Sequence, residues 1–224
     1  MEVKLLTSPV SLKDMEKFAA IAALTCHANT EKAYVAREVL ERIIKLGHES
    51  VLEHITLTYS VKGLSRACLQ ELARHRHISL SVESTRHTLK KQLKEDISKL
   101  MQAIEDVLPV RVVTRKADGK FGYCHEMYVG ELKKILEANP DILNDELKYY
   151  LPEFWPTNLI MTANIRALRH IIKLRTAPAA IEEFRQLARM LFDAVPEEYR
   201  YLLEDCVYKE EEKNGISEST AAKS

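Results

Sequence analysis

Arg74, His75 and Arg76 stand in a row, seven residues separate them from Ser84, and Arg86 closes the stretch. Two guanidiniums, an imidazole and the hydroxyls of Ser79, Ser81, Ser84 and Thr85 suit phosphate, because Arg offers a planar fork and hydroxyls add neutral donors. Residues 62–94 hold eight Lys or Arg against two acids, although the 224-residue chain carries 33 residues of each sign and no formal net charge. A local anionic ligand is therefore expected, whereas general attraction to nucleic acid or an acidic membrane has no support. A second basic run, residues 164–175, carries Arg166, Arg169, Lys173 and Arg175 with no acid.

These groups need elements to hold them. A helix over residues 66–76 puts Cys68, Leu69, Leu72 and Ala73 on one side, and fans the three basic side chains around its end so that they cannot all face one pocket wall. Residues 157–175 read as one helix, with Ile160, Ala167, Leu168, Ile171 and Leu174 opposite Thr162, Arg169 and Lys173. Asn164 and Arg175 fall within its apolar face. A charge placed there must meet a carboxylate, a carbonyl cluster or a polar ligand. Arg166, on the polar face, is expected to be solvated on this reading alone.

The remaining pattern is mixed. Residues 3–10 suit an opening strand, followed by helices from 11 or 13 to 24 and from 30 or 31 to 46. Residues 47–54 turn the chain into a strand over 55–61, where Ile55, Leu57, Tyr59 and Val61 alternate with Thr56, Thr58 and Ser60. Helices are expected over 88–108, 122–139, 141–150, 180–194 and from 196 to about 208, with a short strand at 110–114 and a turn at Asp118 and Gly119. Residues 1–208 form one domain on this reading, and the polar residues 209–224 a loose, disordered tail.

His48, Ser50, Glu53 and His54 lie where a helix hands over to a strand, a place suited to capping. Their spacing lacks the i, i+4 placement of a helical zinc motif, so no metal is expected. Cys26, Cys68, Cys124 and Cys206 are widely separated and form neither a zinc knuckle nor a disulfide framework, which suits a reduced cytoplasmic setting. The N-terminal residues lack the basic flank and apolar core of an export signal, and no run reaches the length of a membrane span.

In combination, Arg74-His75-Arg76 with its Ser84 spacing, the preceding Gly47-His48-Glu49-Ser50 with Glu53 and His54, and the later Asn164-x-Arg166-Ala167-Leu168 with Leu174-Arg175 resemble the flavin-dependent thymidylate synthases. The likeness runs from about residue 3 to 208. It implies an α+β fold, mostly helical with a small mixed or antiparallel sheet, forming homotetramers with active sites at subunit interfaces. It implies methylation of dUMP to dTMP, with 5,10-methylenetetrahydrofolate as carbon donor, reduced FAD as hydride donor and NADPH regenerating the flavin. FAD would be held by Ser50, Arg74, His75, Arg76, Val82, Asn164, Arg166 and His170. dUMP would be held by Glu71, Arg74, Val82, Glu83, Ser84, Thr85, Arg86, Lys148 and Arg175, with Arg175 the catalytic residue beside the uracil.

The chain departs from the family at Glu71, where Gln is usual, at Ser81, Val82 and Glu83, where Asn-Glu-Leu is usual, at Lys148 for Arg and at His170 for Asn. Lys148 keeps the charge but loses the bidentate fork. Nothing is carried over between residues 87 and 140. The alternatives are a classical cysteine nucleophile, a non-catalytic nucleotide- or RNA-binding module, and a metal hydrolase using His48, His54, His75 and His77. None of the cysteines lies among the basic and hydroxyl residues of the loop.

Overall fold

Strand alternation organises the centre of the molecule. A computed structural model describes residues 1–25, 35–95, 100–102, 104, 113–115 and 121–209. In it β1 (Glu2–Leu5), β2 (Thr56–Ser65), β3 (Ile78–Val82) and β6 (Pro156–Asn164) form an antiparallel sheet in the order β1-β2-β6-β3. The register places Leu57 opposite Ala163, Tyr59 opposite Met161 and Val61 opposite Leu159, all buried on one face. The other face carries Thr58, Ser60, Thr162, Ser79 and Ser81, with Thr58 and Thr162 sharing a hydroxyl hydrogen bond of 2.9 Å. Gly63 supplies the left-handed turn (φ 69°) at the irregularity between Val61 and Leu64, and donates its N–H to Asn158.

Helices α1 (Pro9–Thr25), α2 (Ala36–Lys45), α7 (Ile165–Arg175) and α8 (Glu182–Asp193) cover the apolar face, contributing Leu12, Leu40, Leu168 and Phe184 to the main core. A second apolar cluster forms from α4 (Thr85–Glu95), α5 (Cys124–Ala138) and the short α6 (Asn144–Leu147), with Leu89, Leu93, Leu132, Leu147 and Trp155 buried together. A small hairpin pairs β4 (Val113–Arg115) with β5 (Phe121–Tyr123). The architecture is α+β with a small antiparallel sheet.

Several boundaries differ from the sequence reading for identifiable reasons. The opening strand is shorter than residues 3–10, because Ser8 Oγ accepts the Ser11 N–H (3.2 Å) and Pro9 takes a first helical position, where its missing N–H costs nothing. Residues 157–175 are not one helix. Thr157, Leu159, Met161 and Ala163 are buried while Asn158 and Ile160 are exposed, a period of two that only a strand satisfies. Asn164 then caps α7, its Oδ1 accepting the Ala167 N–H at 2.8 Å, so it is not within an apolar helical face. The segment at 196–208 forms 3₁₀ turns, Glu197–Leu202 and Glu204–Cys206; the Leu202 carbonyl accepts from Arg169 at 2.7 Å, and the Cys206 N–H bonds to the Leu203 carbonyl at 3.0 Å. Residues 141–150 likewise shorten to α6 and a 3₁₀ turn, Lys148–Tyr150. The expectations for residues 26–34, Asp118, Gly119 and 210–224 lie outside the described residues.

Candidate active site

Helix α3 (Arg66–Ala73) stops three residues before the end that its basic run suggested. Ser65 caps its start, accepting the Cys68 N–H at 3.0 Å. The Ser65 hydroxyl in turn donates to buried Glu183 on α8, and Glu183 also accepts the Ser65 N–H at 2.7 Å. Beyond Ala73 the backbone turns through Arg74, His75 and Arg76, then adopts a left-handed conformation at His77 (φ 62°) before entering β3. Irregular backbone releases the three side chains from the 100° spacing of a helix. All three line one cleft, contrary to the fan expected from sequence.

That cleft, of about 1010 Å³, reaches the upper end of the roughly 300–1,000 Å³ usual for ligand sites. Arg74, His75, Arg76 and His77 form one wall, and Asn164, Arg166, His170, Lys173 and Arg175 of β6 and α7 form another. Six cationic side chains meet three carboxylates in the lining, those of Glu49, Glu53 and Asp205. The carboxylates are already committed. Arg166 pairs with Glu53 at 2.6 Å, and Arg169 pairs with Glu49 at 2.9 Å and with both oxygens of Asp205 at 2.6 Å. Among the described residues no ion pair engages Arg74, Arg76 or Lys173, and this leaves the cleft an uncompensated positive surface.

Arg169 was expected on a polar face, yet its side chain is only 5% exposed. Burial works against its charge, but the Asp205 hydrogen bonds together with the nearby negative charges of Asp205 and Glu49 more than offset it and keep the guanidinium protonated. Asp205 correspondingly stays ionised: burial opposes this, and the bonds from Arg169 overcome it. The helical reading missed this residue because the partners, Glu49 and Asp205, lie far from it in sequence.

Arg175 meets the carboxylate that a partly buried cation requires. Its Nη1 donates to Glu71 Oε2 at 2.6 Å, its Nε donates to His75 Nε2 at 3.0 Å, and its guanidinium lies 4.6 Å from the centre of the Phe184 ring. Neighbouring Leu174 is 49% exposed, so the apolar face assigned to it in sequence does not extend to the end of α7. His75 is pushed down to about 4 by burial, and further by Arg175, His170 and Arg74, so its Nε2 is free to accept. Phe184 was visible in sequence only as one apolar residue of an amphipathic helix. Its role under the guanidinium comes from tertiary packing.

The other expected residues fall elsewhere. Ser50 is exposed on the 3₁₀ segment Glu49–His54, whose Glu49 and Glu53 reach the cleft in its stead. Val82 ends β3, and Glu83, Ser84, Thr85 and Arg86 follow it; the four steps from Ile78 to Val82 carry the chain about 13 Å. There Arg86, Lys90 and Asp145 line a separate cleft of about 430 Å³, with Lys148 beside it. Both Glu83 oxygens are occupied within the chain, one by Gln92 at 3.0 Å and one by Asn158 at 2.5 Å, so this side chain braces the loop. One protomer therefore separates the candidate residues into a cleft group and a loop group.

His48 and His54 do not join His75 and His77 in the cleft lining. Among the described residues no group of three or more His, Cys, Asp or Glu side chains is arranged to hold a metal, and no helix is long and apolar enough to cross a membrane. Burial, with Glu183 and Glu71 nearby, raises the Cys68 thiol well above its usual range, and burial pushes Cys206 up to about 11. Neither thiol is poised as a nucleophile.

The α+β scaffold gathers unpaired cations around one large cleft, a lining whose chemistry suits an anionic ligand. The family model described as thymidylate synthase complementing protein matches residues 6–199. The flavin-dependent thymidylate synthase of Campylobacter jejuni is 36% identical over 194 residues, 84% of this chain and 91% of that protein. Its counterpart from Helicobacter pylori is 38% identical over 180 residues, 76% and 82% of the respective chains. A crystal structure of the Helicobacter pylori thymidylate synthase X with FAD and dUMP has a TM-score of 0.72 at 33% identity, covering 93% of this chain and 100% of that one. The chain belongs to the thymidylate synthase complementing protein family, that of the flavin-dependent thymidylate synthases.

Proposed function

We propose that the protein makes dTMP from dUMP by reductive methylation, taking the carbon from 5,10-methylenetetrahydrofolate and using NADPH as reductant, in the cytoplasm and as a homotetramer. FAD, when bound, supplies the hydride, and no cysteine nucleophile is involved. The observation that carries the reading is an arginine fixed from three sides, Arg175, at the edge of a cleft lined by uncompensated Arg74 and Arg76.

The chain's residues suit each part of that task. Arg74, Arg76 and Arg166 fit the diphosphate of FAD, because guanidiniums pair bidentately with phosphate oxygens. Asn164 spends its Oδ1 on the α7 cap, which leaves its Nδ2 donor for a ligand. Ser50, His75, Val82 and His170 complete the flavin group on this reading. Arg175, held by Glu71, His75 and Phe184, cannot swing to solvent. A cation fixed beside a uracil favours the ring's anionic form and so its attack on the carbon donor. Arg74 and Glu71 belong to the same part of the nucleotide site on this reading, while Ser84, Thr85, Arg86 and Lys148, on the loop that Val82 leads into and Glu83 braces, supply the phosphate end from a neighbouring copy.

Absorbance of the purified protein tests this directly. A yellow preparation that NADPH bleaches without oxygen, and that forms dTMP only when dUMP and methylenetetrahydrofolate are both present, is the expected result. A colourless protein that takes up no added FAD and binds RNA with steep salt dependence would overturn it in favour of a non-catalytic binding module.

A further inference from the structure

The loop group contains an anion of its own. Arg86 Nη2 donates to Asp145 Oδ2 at 2.6 Å, and Lys148 Nζ lies 3.5 Å from Asp145 Oδ1, so each carboxylate oxygen faces one cation. The Arg86 hydrogen bond holds the Asp145 carboxyl below its usual range and keeps it ionised. Backbone contacts fix the two segments in this relation: Asn144 Nδ2 donates to the Arg86 carbonyl at 2.6 Å, and Asn144 Oδ1 accepts the Lys90 N–H at 3.2 Å. Arg86 remains 65% exposed, so an incoming ligand can reach its guanidinium, whereas Asp145 Oδ1 is buried without a hydrogen-bond partner among the described residues and faces Lys148 by charge alone.

We infer that Asp145 is a resident counter-anion of the phosphate half-site, occupying the place between Arg86 and Lys148 that a phosphate must take. This rests on the proposed assignment of Arg86 and Lys148 to the dUMP phosphate. The carboxylate brings one negative charge and two oxygens, whereas a phosphomonoester near neutral pH brings about −1.5 to −2 and three oxygens. A phosphomonoester therefore displaces Asp145 from both cations. A singly charged anion gains little by exchanging with it. Asp145 thus sets a threshold: it weakens phosphate affinity in general and rejects monoanions, making it a specificity-determining residue that acts through Arg86 and Lys148.

Titration calorimetry on the flavin-loaded protein, with dUMP, inorganic phosphate and deoxyuridine as ligands, tests the inference. Exposed ion pairs are worth little each, so freeing two cations in Asp145→Asn is expected to tighten dUMP and phosphate by about threefold to tenfold. Deoxyuridine, which lacks the phosphate, should bind unchanged, and the gain should shrink at high salt. Asp145→Glu retains the charge and should bind dUMP like the parent protein. In an Arg86→Ala background the gain from Asp145→Asn should fall to less than twofold. No tightening, or an equal change for deoxyuridine, would sink the inference while leaving the proposed function standing. Failure of dUMP to bind the parent protein would instead remove the assignment beneath it.

Discussion

Arg175 shows how much of a site can depend on one planar side chain. Nη1 reaches Glu71, Nε reaches His75, and the face of the guanidinium rests on Phe184, three directions that a single ammonium cannot serve together. Removing a fixed donor aimed at developing charge costs roughly 10²–10³ in rate, so Arg175→Ala is expected to keep FAD and lose about that much dTMP formation. Arg175→Lys should recover only a small part of it. Parallel measurement of flavin content and turnover checks both; ordinary turnover in Arg175→Ala would disprove the activating role. The same geometry governs His75. Because its folded pKa, about 4, lies below the ordinary 6.5, the unfolded chain binds the proton first as pH falls. The stability His75 contributes is therefore complete above pH 6.5 and lost as pH falls through 4. Histidine ring NMR should show His75 neutral across pH 5–8 in the parent protein, with its titration moved upward in Arg175→Ala.

At the level of elements, two links hold the cleft walls in place. Arg169 ties α7 to the 3₁₀ segment Glu49–His54 and to Leu202 and Asp205, while Ser65 and Glu183 tie the start of α3 to α8. Arg169→Ala should cost about 2–4 kcal/mol in urea denaturation, because a buried hydrogen-bonded charge is removed and its partners lose theirs. Arg166→Ala, whose pair with Glu53 is half exposed, should cost under about 1 kcal/mol. The contrast marks what sequence could reveal. Strand alternation in β2 and the amphipathic pattern of α8 were legible because both periods are local. The cleft residues Arg74, His75, Arg76, Asn164, Arg166 and Arg175 were legible as motifs, while His170 stands where the family pattern has Asn. Arg169 and Phe184 were not, since their roles come from partners distant in the chain. Residues 157–175 misled because Ile160, Ala167 and Leu168 fit a helical wheel by accident, although the first lies on a strand.

For the whole molecule, the separation of the two groups is the feature that the proposed assembly accounts for. Arg74, His75 and Arg76 precede β3 and Ser84 and Arg86 follow it, the strand itself spanning about 13 Å, and within one copy Arg74 and Arg175 line one cleft while Arg86 lines another. A symmetric assembly resolves this if the cleft of one copy faces the loop of the next, since each interface then builds complete sites from unlike halves. The consequence is complementation. Arg175→Ala is inactive through the cleft half and Arg86→Ala through the loop half, yet both keep the other half intact. When equal amounts of the two are unfolded and refolded together, random pairing gives roughly a quarter of the sites both intact halves. dTMP formation should return to about that fraction of the parent rate, and each variant refolded alone should stay inactive. Recovery no greater than the sum of the separate variants would mean that each site is built within one copy.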